Sequence, residues 1–111
     1  MNARTSILNH VNRAEQLLRV VYPLAKEPRV LLDAIKELNK TIPFIIQCRP
    51  TKEDAVKLEE IRMILDKHDR AAVEFVRDKK LVMCNDVYTT TKLDTKKVDE
   101  LIEVCKKYGH A

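Results

Sequence analysis

Apolar residues recur at helical spacing over most of the chain. From about residue 5 to residue 22 they return every three or four positions, which predicts one amphipathic helix. Pro23 should end that helix, because a proline disfavours helical geometry in the residue before it. Stretches with the same spacing predict further helices over about 28–48, 52–69 and 95–108.

Local signals refine these helices. Pro43 falls inside the apolar pattern of the second one, so we expect a kink or a break near residues 39–40. Thr51, followed three positions later by Asp54, resembles a capping box that opens the third helix. Asp94 is a suitable N-cap for the last helix.

The pattern changes to that of strands over residues 73–92. This segment is rich in β-branched and aromatic residues, and polar turn signals interrupt it at 77–80 and 85–86. We therefore predict a small antiparallel meander, which must pack one face on the helices because so small a sheet is not stable alone. We assign the aromatic side chains of Phe75 and Tyr108 to the core.

Together, these elements predict a mostly α fold with α+β character in a single domain, residues 1–111. It consists of a three-helix N-terminal bundle, a small antiparallel β-meander and a C-terminal helix. The chain is 45% apolar and 34% charged with one glycine, which excludes a disordered chain and disfavours a β-sandwich. The densest apolar run, residues 42–46, is too short to cross a bilayer, and no targeting pattern is visible, so we expect a cytoplasmic protein.

The residue types needed for common catalytic and metal sites are poorly placed. Cys48, Cys84 and Cys105 are odd in number and widely spaced, so we expect reduced thiols at apolar positions. We find no Cys/His spacing typical of zinc and no glycine-rich phosphate loop. The sequence therefore predicts no metal and no cofactor, and it favours a non-catalytic protein.

The net charge of +4 is unevenly distributed. Residues 1–52 contain nine Lys/Arg against four Asp/Glu, whereas residues 53–111 contain twelve against thirteen. A basic first half favours an anionic partner such as RNA, although the same charges also fit an ordinary solvated surface. The candidate nucleic-acid-binding residues are Arg13, Arg19, Lys26, Arg29, Lys36 and Lys40. A second basic group, at the tip of the predicted hairpin, contains Arg77, Lys79 and Lys80.

The second predicted helix is apolar over a wide arc. Such width suits either a dimer seam or a helix buried on several sides of a bundle, and the sequence leaves both interpretations open. From the first interpretation we expect a homo-oligomer or a protein partner. A structural subunit of a larger assembly is a further alternative.

An arginine and a histidine six positions apart occur twice, as Arg62 with His68 and as Arg4 with His10. The spacing resembles that of HEPN-type ribonucleases, where the resemblance implies proton transfer by histidine and charge stabilisation by arginine. Six residues turn a helix by ~600°, so the two side chains lie about 120° apart in azimuth and about 9 Å apart along the axis. Such a site needs a second copy across a two-fold axis.

Two stretches resemble a group of small uncharacterised archaeal helical proteins. They are LLRVVYPLAKEPRVLLDAIKELN at 17–39, where a Tyr-Pro-Leu-x-Lys segment joins two helices, and HDRAAVEFVRDKKLVMCNDVY at 68–88, where a hairpin follows a longer helix. This resemblance implies an archaeal, cytoplasmic protein. The first two helices are also similar to HEPN helical hairpins.

The sequence thus favours a small basic interaction module that binds RNA or a ribonucleoprotein without catalysis. The alternatives are a HEPN-type ribonuclease that uses Arg62 and His68 across a dimer, and a structural subunit.

Overall fold

The computed structural model describes residues 3–87 and 89–110 and confirms a mostly α fold with a small antiparallel sheet and a C-terminal helix. Tyr88, which the pattern places near the third strand, lies outside the described residues. The helices are α1 (Ala3–Gln16), a π-helical turn (Leu17–Val21), α2 (Tyr22–Ala25), α3 (Arg29–Asn39), α4 (Ile42–Gln47), α5 (Lys52–Arg70) and α6 (Thr95–His110). The strands are β1 (Val73–Arg77), β2 (Lys80–Cys84) and β3 (Thr90–Leu93).

The sequence predicted that the first helix ends before Pro23. In the structure the helical backbone continues past this proline. The backbone N–H of Tyr22 donates to the carbonyl of Leu17 across the π turn, and Pro23 then occupies the first turn of α2. The wider π turn displaces the carbonyl that would clash with the proline ring in a regular α-helix. The helix ends instead at Lys26, whose left-handed backbone (φ 53°) turns the chain.

Pro43 breaks the second predicted helix, so residues 28–48 form two helices rather than one. The break lies at Lys40 and Thr41, and the hydroxyl of Thr41 donates to the carbonyl of Leu38 at 2.6 Å. This bond satisfies one of the acceptors left free at the end of α3. Pro43 lies in the first turn of α4, where a missing N–H costs nothing.

Both predicted N-caps form. The hydroxyl of Thr51 accepts from the backbone N–H of Asp54 at 3.1 Å, and a carboxylate oxygen of Asp94 accepts from the N–H of Lys97 at 2.9 Å. At the first cap, however, the backbone N–H of Thr51 donates to the hydroxyl of Tyr108 at 3.3 Å. The start of α5 is therefore tied to the end of α6.

One core joins all the longer helices, and α6 is a full member of the bundle. It packs mainly along α1 and also contacts α3 and α5. The largest fully buried side chains are Ile7, Leu31, Ile35, Leu38, Ile42, Ile45, Ile61, Leu81, Met83, Leu93, Leu101 and Ile102. No helix within the described residues is long and apolar enough to cross a membrane.

The apolar width of the second predicted helix is largely satisfied inside the chain. Five residues of α3 and two of α4 are buried, namely Leu31, Leu32, Ala34, Ile35, Leu38, Ile42 and Ile45. Ile46 stays 52% exposed. Of the two interpretations of this width, the structure favours burial on several sides over a dimer seam.

The three strands form an antiparallel sheet in the order β1-β2-β3. The inner face of the sheet contributes Leu81, Met83 and Leu93 to the core, and β2 lies against α5. The outer face faces away from the helices.

Strand β1 turns its aromatic residue outward. Glu74 pairs with Met83 and Val76 pairs with Leu81, so Glu74 and Val76 share the inner face with the core residues of β2. Side chains alternate along a strand, so Phe75 must lie on the outer face. It is 42% exposed, and the prediction that Phe75 belongs to the core is wrong.

The cysteines occupy three different environments. All three are free thiols, as expected, but only Cys105 is fully buried, while Cys84 is half-buried and Cys48 is exposed. The prediction of apolar positions is therefore wrong for Cys48.

Candidate nucleic-acid interface

The histidines of both Arg–His pairs bind a glutamate. His68 Nδ1 lies 2.9 Å from Glu74 Oε2, which joins α5 to β1. His10 Nδ1 lies 2.9 Å from Glu37 Oε2, which joins α1 to α3. The side chains of His68 and His10 are 25% and 22% exposed, so each imidazole is fixed between two elements by a half-buried contact.

Glu37 is the centre of the second contact. Its other carboxylate oxygen lies 3.1 Å from the ammonium of Lys40. Burial alone would raise the pKa of Glu37, but the hydrogen bonds with His10 and Lys40 lower it. His10 therefore helps to hold α1 against α3, and this structural role explains its position without a catalytic function.

Arg62 and His68 do not converge within one copy of the chain. Both lie in the single helix α5, so the separation of about 120° in azimuth applies to them directly. Arg62 is exposed, whereas His68 faces β1. Arg4 and His10 likewise share α1. The ribonuclease alternative therefore still requires a second copy.

The other reactive groups of the described residues give no metal site and no activated thiol at Cys105. Within residues 3–87 and 89–110, no three His, Cys, Asp or Glu side chains are grouped so that they could hold a metal ion. Burial raises the pKa of the Cys105 thiol to about 11, so this thiol stays protonated at neutral pH and is a poor nucleophile.

The structure divides the six predicted nucleic-acid-binding cations into two groups. Arg19 donates to Asp99 at 2.9 Å, and this bond raises the pKa of Arg19. Lys40 is occupied by Glu37. The other four are exposed and form no ion pair with any described residue: Arg13, Lys26, Arg29 and Lys36.

Three of the six cations lie on one face of α3, counting Lys40, the residue that caps the C-terminus of this helix. Arg29, Lys36 and Lys40 are separated by seven and four positions, so their azimuths fall within about 40° of each other. Asp33 shares this exposed face and reduces its net charge. We call Arg29, Lys36 and Lys40 the α3 stripe.

Lys26 lies across a groove from the tip of the β1–β2 hairpin. A groove of about 320 Å³ separates the end of α2 from this tip, and Lys26 and Lys79 line it from opposite segments of the sequence. We call it the helix–hairpin groove, and its lining consists of Tyr22, Pro23, Lys26, Pro28, Val76 and Lys79. It joins the two basic groups that the sequence analysis treated separately.

A second groove, of about 440 Å³, covers the outer face of the sheet. The strand register places Phe75, Val82 and Lys92 in one row across the three strands, and Arg77 with Lys80 in the next row. We call it the sheet-face groove, and its lining consists of Phe75, Arg77, Asp78, Lys80, Val82, Thr90 and Lys92.

Sequence reasoning missed the sheet-face groove because it assigned Phe75 to the core. The alternation in VEFVR puts Phe75 and Arg77 on one face, but it does not show which face is turned away from the core. Lys92 could not have been added without knowing the register of β3. Comparison with protein-family models, curated proteins and solved structures finds no match to this chain.

Proposed function

We propose that the protein is a small, non-catalytic module that binds RNA, alone or within a ribonucleoprotein. The observation that carries the proposal is the helix–hairpin groove, where Lys26 and Lys79 face one space. Lysine ammonium groups bind phosphate through charge, with little demand on geometry. Two such groups on opposite walls suit a chain of phosphates better than they suit a single small anion.

The α3 stripe extends this positive surface. Pro28 lines the groove, and Arg29, the first residue of α3, follows it directly. An RNA backbone that leaves the groove along α3 therefore passes the exposed cations Arg29 and Lys36. Phosphate contacts of this kind supply affinity without reading sequence.

The test replaces the two lysines of the groove. We expect Lys26→Gln combined with Lys79→Gln to weaken binding of a short single-stranded RNA. The slope of log affinity against log salt should also fall by about 0.7 for each lost phosphate contact. Fluorescence anisotropy of labelled RNA at several salt concentrations measures both quantities.

Lys52→Gln is the matched control, because Lys52 is exposed at the start of α5 and lines neither groove. It should leave the affinity and the salt slope close to those of the unmodified protein. An unmodified protein without salt-sensitive RNA binding, or a double variant with an unchanged slope, would contradict the proposal.

Three finer points stay predictions, namely an archaeal origin and a cytoplasmic location, both implied by the sequence resemblance, and a protein partner. The homo-oligomer expected from the apolar width of the second predicted helix loses its main basis, because seven of those residues are buried within one copy. The proposed binding does not need a second copy of the chain, because both walls of the helix–hairpin groove come from one copy.

A further inference from the structure

We infer that the outer face of the sheet binds single-stranded RNA, with one base stacked on Phe75 and the backbone held by Arg77, Lys80 and Lys92. The inference rests on the proposed function and adds to it the form of the RNA and the surface that accepts its bases.

Phe75 is a partly exposed aromatic residue that lies next to a buried one. Its cross-strand neighbour Val82 is only 3% exposed, although it does not belong to the main core cluster of the described residues. The strand register places Phe75 and Lys92 on either side of Val82 on the outer face, so we expect their side chains to cover it. Phe75 lies beside this covered residue and is itself 42% exposed, so part of its side chain is open to a stacked base.

Three cations share the outer face of the sheet with Phe75. Arg77 lies two positions further along β1, about 7 Å away, and Lys80 is its partner across the turn. Arg77 and Lys92 form no ion pair with any other described residue, and Lys80 has only a distant carboxylate, Asp94, at 3.8 Å. The face therefore offers positive charge beside an aromatic platform, a combination typical of surfaces that bind single strands.

The shape of the molecule favours a flexible strand over a duplex. Strand β1 is an edge of the sheet, with the sheet-face groove on one side and the helix–hairpin groove, through Val76, on the other. A single strand can cross this edge and contact both grooves. A duplex keeps its bases stacked internally, so none is available to Phe75.

Asp78 supplies the feature that favours RNA among single strands. It lines the same groove, and its exposed carboxylate is an acceptor that exchanges a water molecule for a hydrogen-bond donor of the ligand. The ribose 2′-hydroxyl is such a donor, and DNA lacks it. We therefore commit to RNA as the occupant.

The experiment compares Phe75→Leu with Phe75→Tyr. Leucine keeps an apolar cover over Val82 but cannot stack, whereas tyrosine can do both. We expect Phe75→Leu to bind a short single-stranded RNA roughly tenfold more weakly, and Phe75→Tyr to bind it like the unmodified protein. Each of the three proteins should bind duplex RNA and single-stranded DNA of the same sequence more weakly than it binds the single-stranded RNA. The affinity for duplex RNA should be the same in Phe75→Leu as in the unmodified protein.

Val56→Leu is a control for a changed exposed apolar side chain, because Val56 is 61% exposed on α5 and lines neither groove. If the unmodified protein binds no nucleic acid, the proposed function fails together with this inference. If RNA binding depends on Lys26 and Lys79 but is equal in Phe75→Leu and Phe75→Tyr, only this inference fails. Equal affinity for RNA and DNA single strands would overturn the choice of RNA.

Discussion

Asp54 is a buried acid whose partners lie on another helix. It is 7% exposed, accepts a hydrogen bond from the hydroxyl of Tyr108 and lies 2.9 Å from the ammonium of Lys107. The bond from Tyr108 is the main cause that lowers the pKa of Asp54. A carboxyl whose pKa is lower in the folded state stabilises the fold above its unfolded pKa, and this contribution disappears as the pH falls through the folded value.

We therefore predict that Tyr108→Phe lowers the free energy of unfolding by about 1–2 kcal/mol near neutral pH, since a hydrogen bond to a charged group is lost. The difference from the unmodified protein should shrink as the pH falls below about 4, where the unfolded carboxyl becomes protonated. Urea denaturation at neutral and acidic pH measures it. Tyr22→Phe is the matched control, because the hydroxyl of Tyr22 bonds no other described residue. If Tyr108→Phe lost the same stability at every pH, the loss could not be assigned to the bond with Asp54.

Phe75 shows where sequence reasoning stops at the residue scale. The alternation along β1 separates two sets of side chains, but each set mixes apolar and charged residues. Which set faces the core is decided by β2, where Leu81 and Met83 are both buried, and by the register that pairs them with β1. That choice is a tertiary constraint, so the sequence of β1 alone could not have located the sheet-face groove.

At the scale of elements, the β1–β2 hairpin contains a strained turn. Arg77 pairs with Lys80, so Asp78 and Lys79 form a two-residue connection, and their φ angles are 51° and 64°. Two consecutive left-handed residues define a type I′ turn, whose second position strongly favours glycine. Lysine at this position carries a steric cost of about 1–2 kcal/mol.

We predict that Lys79→Gly raises the free energy of unfolding by about 0.5–1 kcal/mol. The relief of left-handed strain exceeds the entropy that glycine adds to the unfolded chain, about 0.5–1 kcal/mol. Chemical denaturation measures the change, with Lys80→Gly as the control, because Lys80 lies in β2 outside the turn and should destabilise the sheet. A loss of stability in Lys79→Gly would show that the lysine side chain makes a stabilising contact at the tip.

The two interior prolines explain why helix ends were harder to predict than the helices themselves. Pro23 and Pro43 both follow apolar helical patterns, yet the first continues a helix and the second separates two. The outcome depends on the turn before each proline: a π turn before Pro23, and a Thr41 hydroxyl that closes α3 before Pro43. Apolar periodicity indicates which residues face a core, but it does not reveal such local hydrogen bonding.

At the scale of the whole molecule, ion pairs concentrate where α6 meets α1 and α5. Lys97 reaches Glu60 at 3.0 Å, Lys106 reaches Glu15 at 3.3 Å, and Arg19 bonds Asp99. These pairs are partly exposed and add little stability, but they neutralise that side of the molecule. Cations that pair with no described carboxylate line the two grooves, namely Lys26, Arg77, Lys79 and Lys92, and others such as Arg13 on α1 and Arg62 on α5 lie away from them. The lining of the grooves therefore combines cations from both halves of the sequence.

The last prediction concerns the mass of the protein in solution. Most of the apolar residues of α3 and α4 that suggested a dimer seam are buried within one copy, so we expect a monomer that binds single-stranded RNA at low salt and releases it at high salt. Light scattering with and without RNA, at two salt concentrations, measures both properties. A dimer would contradict this expectation and would restore the ribonuclease alternative, because only a second copy can bring an Arg62 to His68. The decisive comparison would then be RNA cleavage by the unmodified protein and by His68→Ala, since a nuclease must lose its activity in the variant whereas a binding module has none to lose.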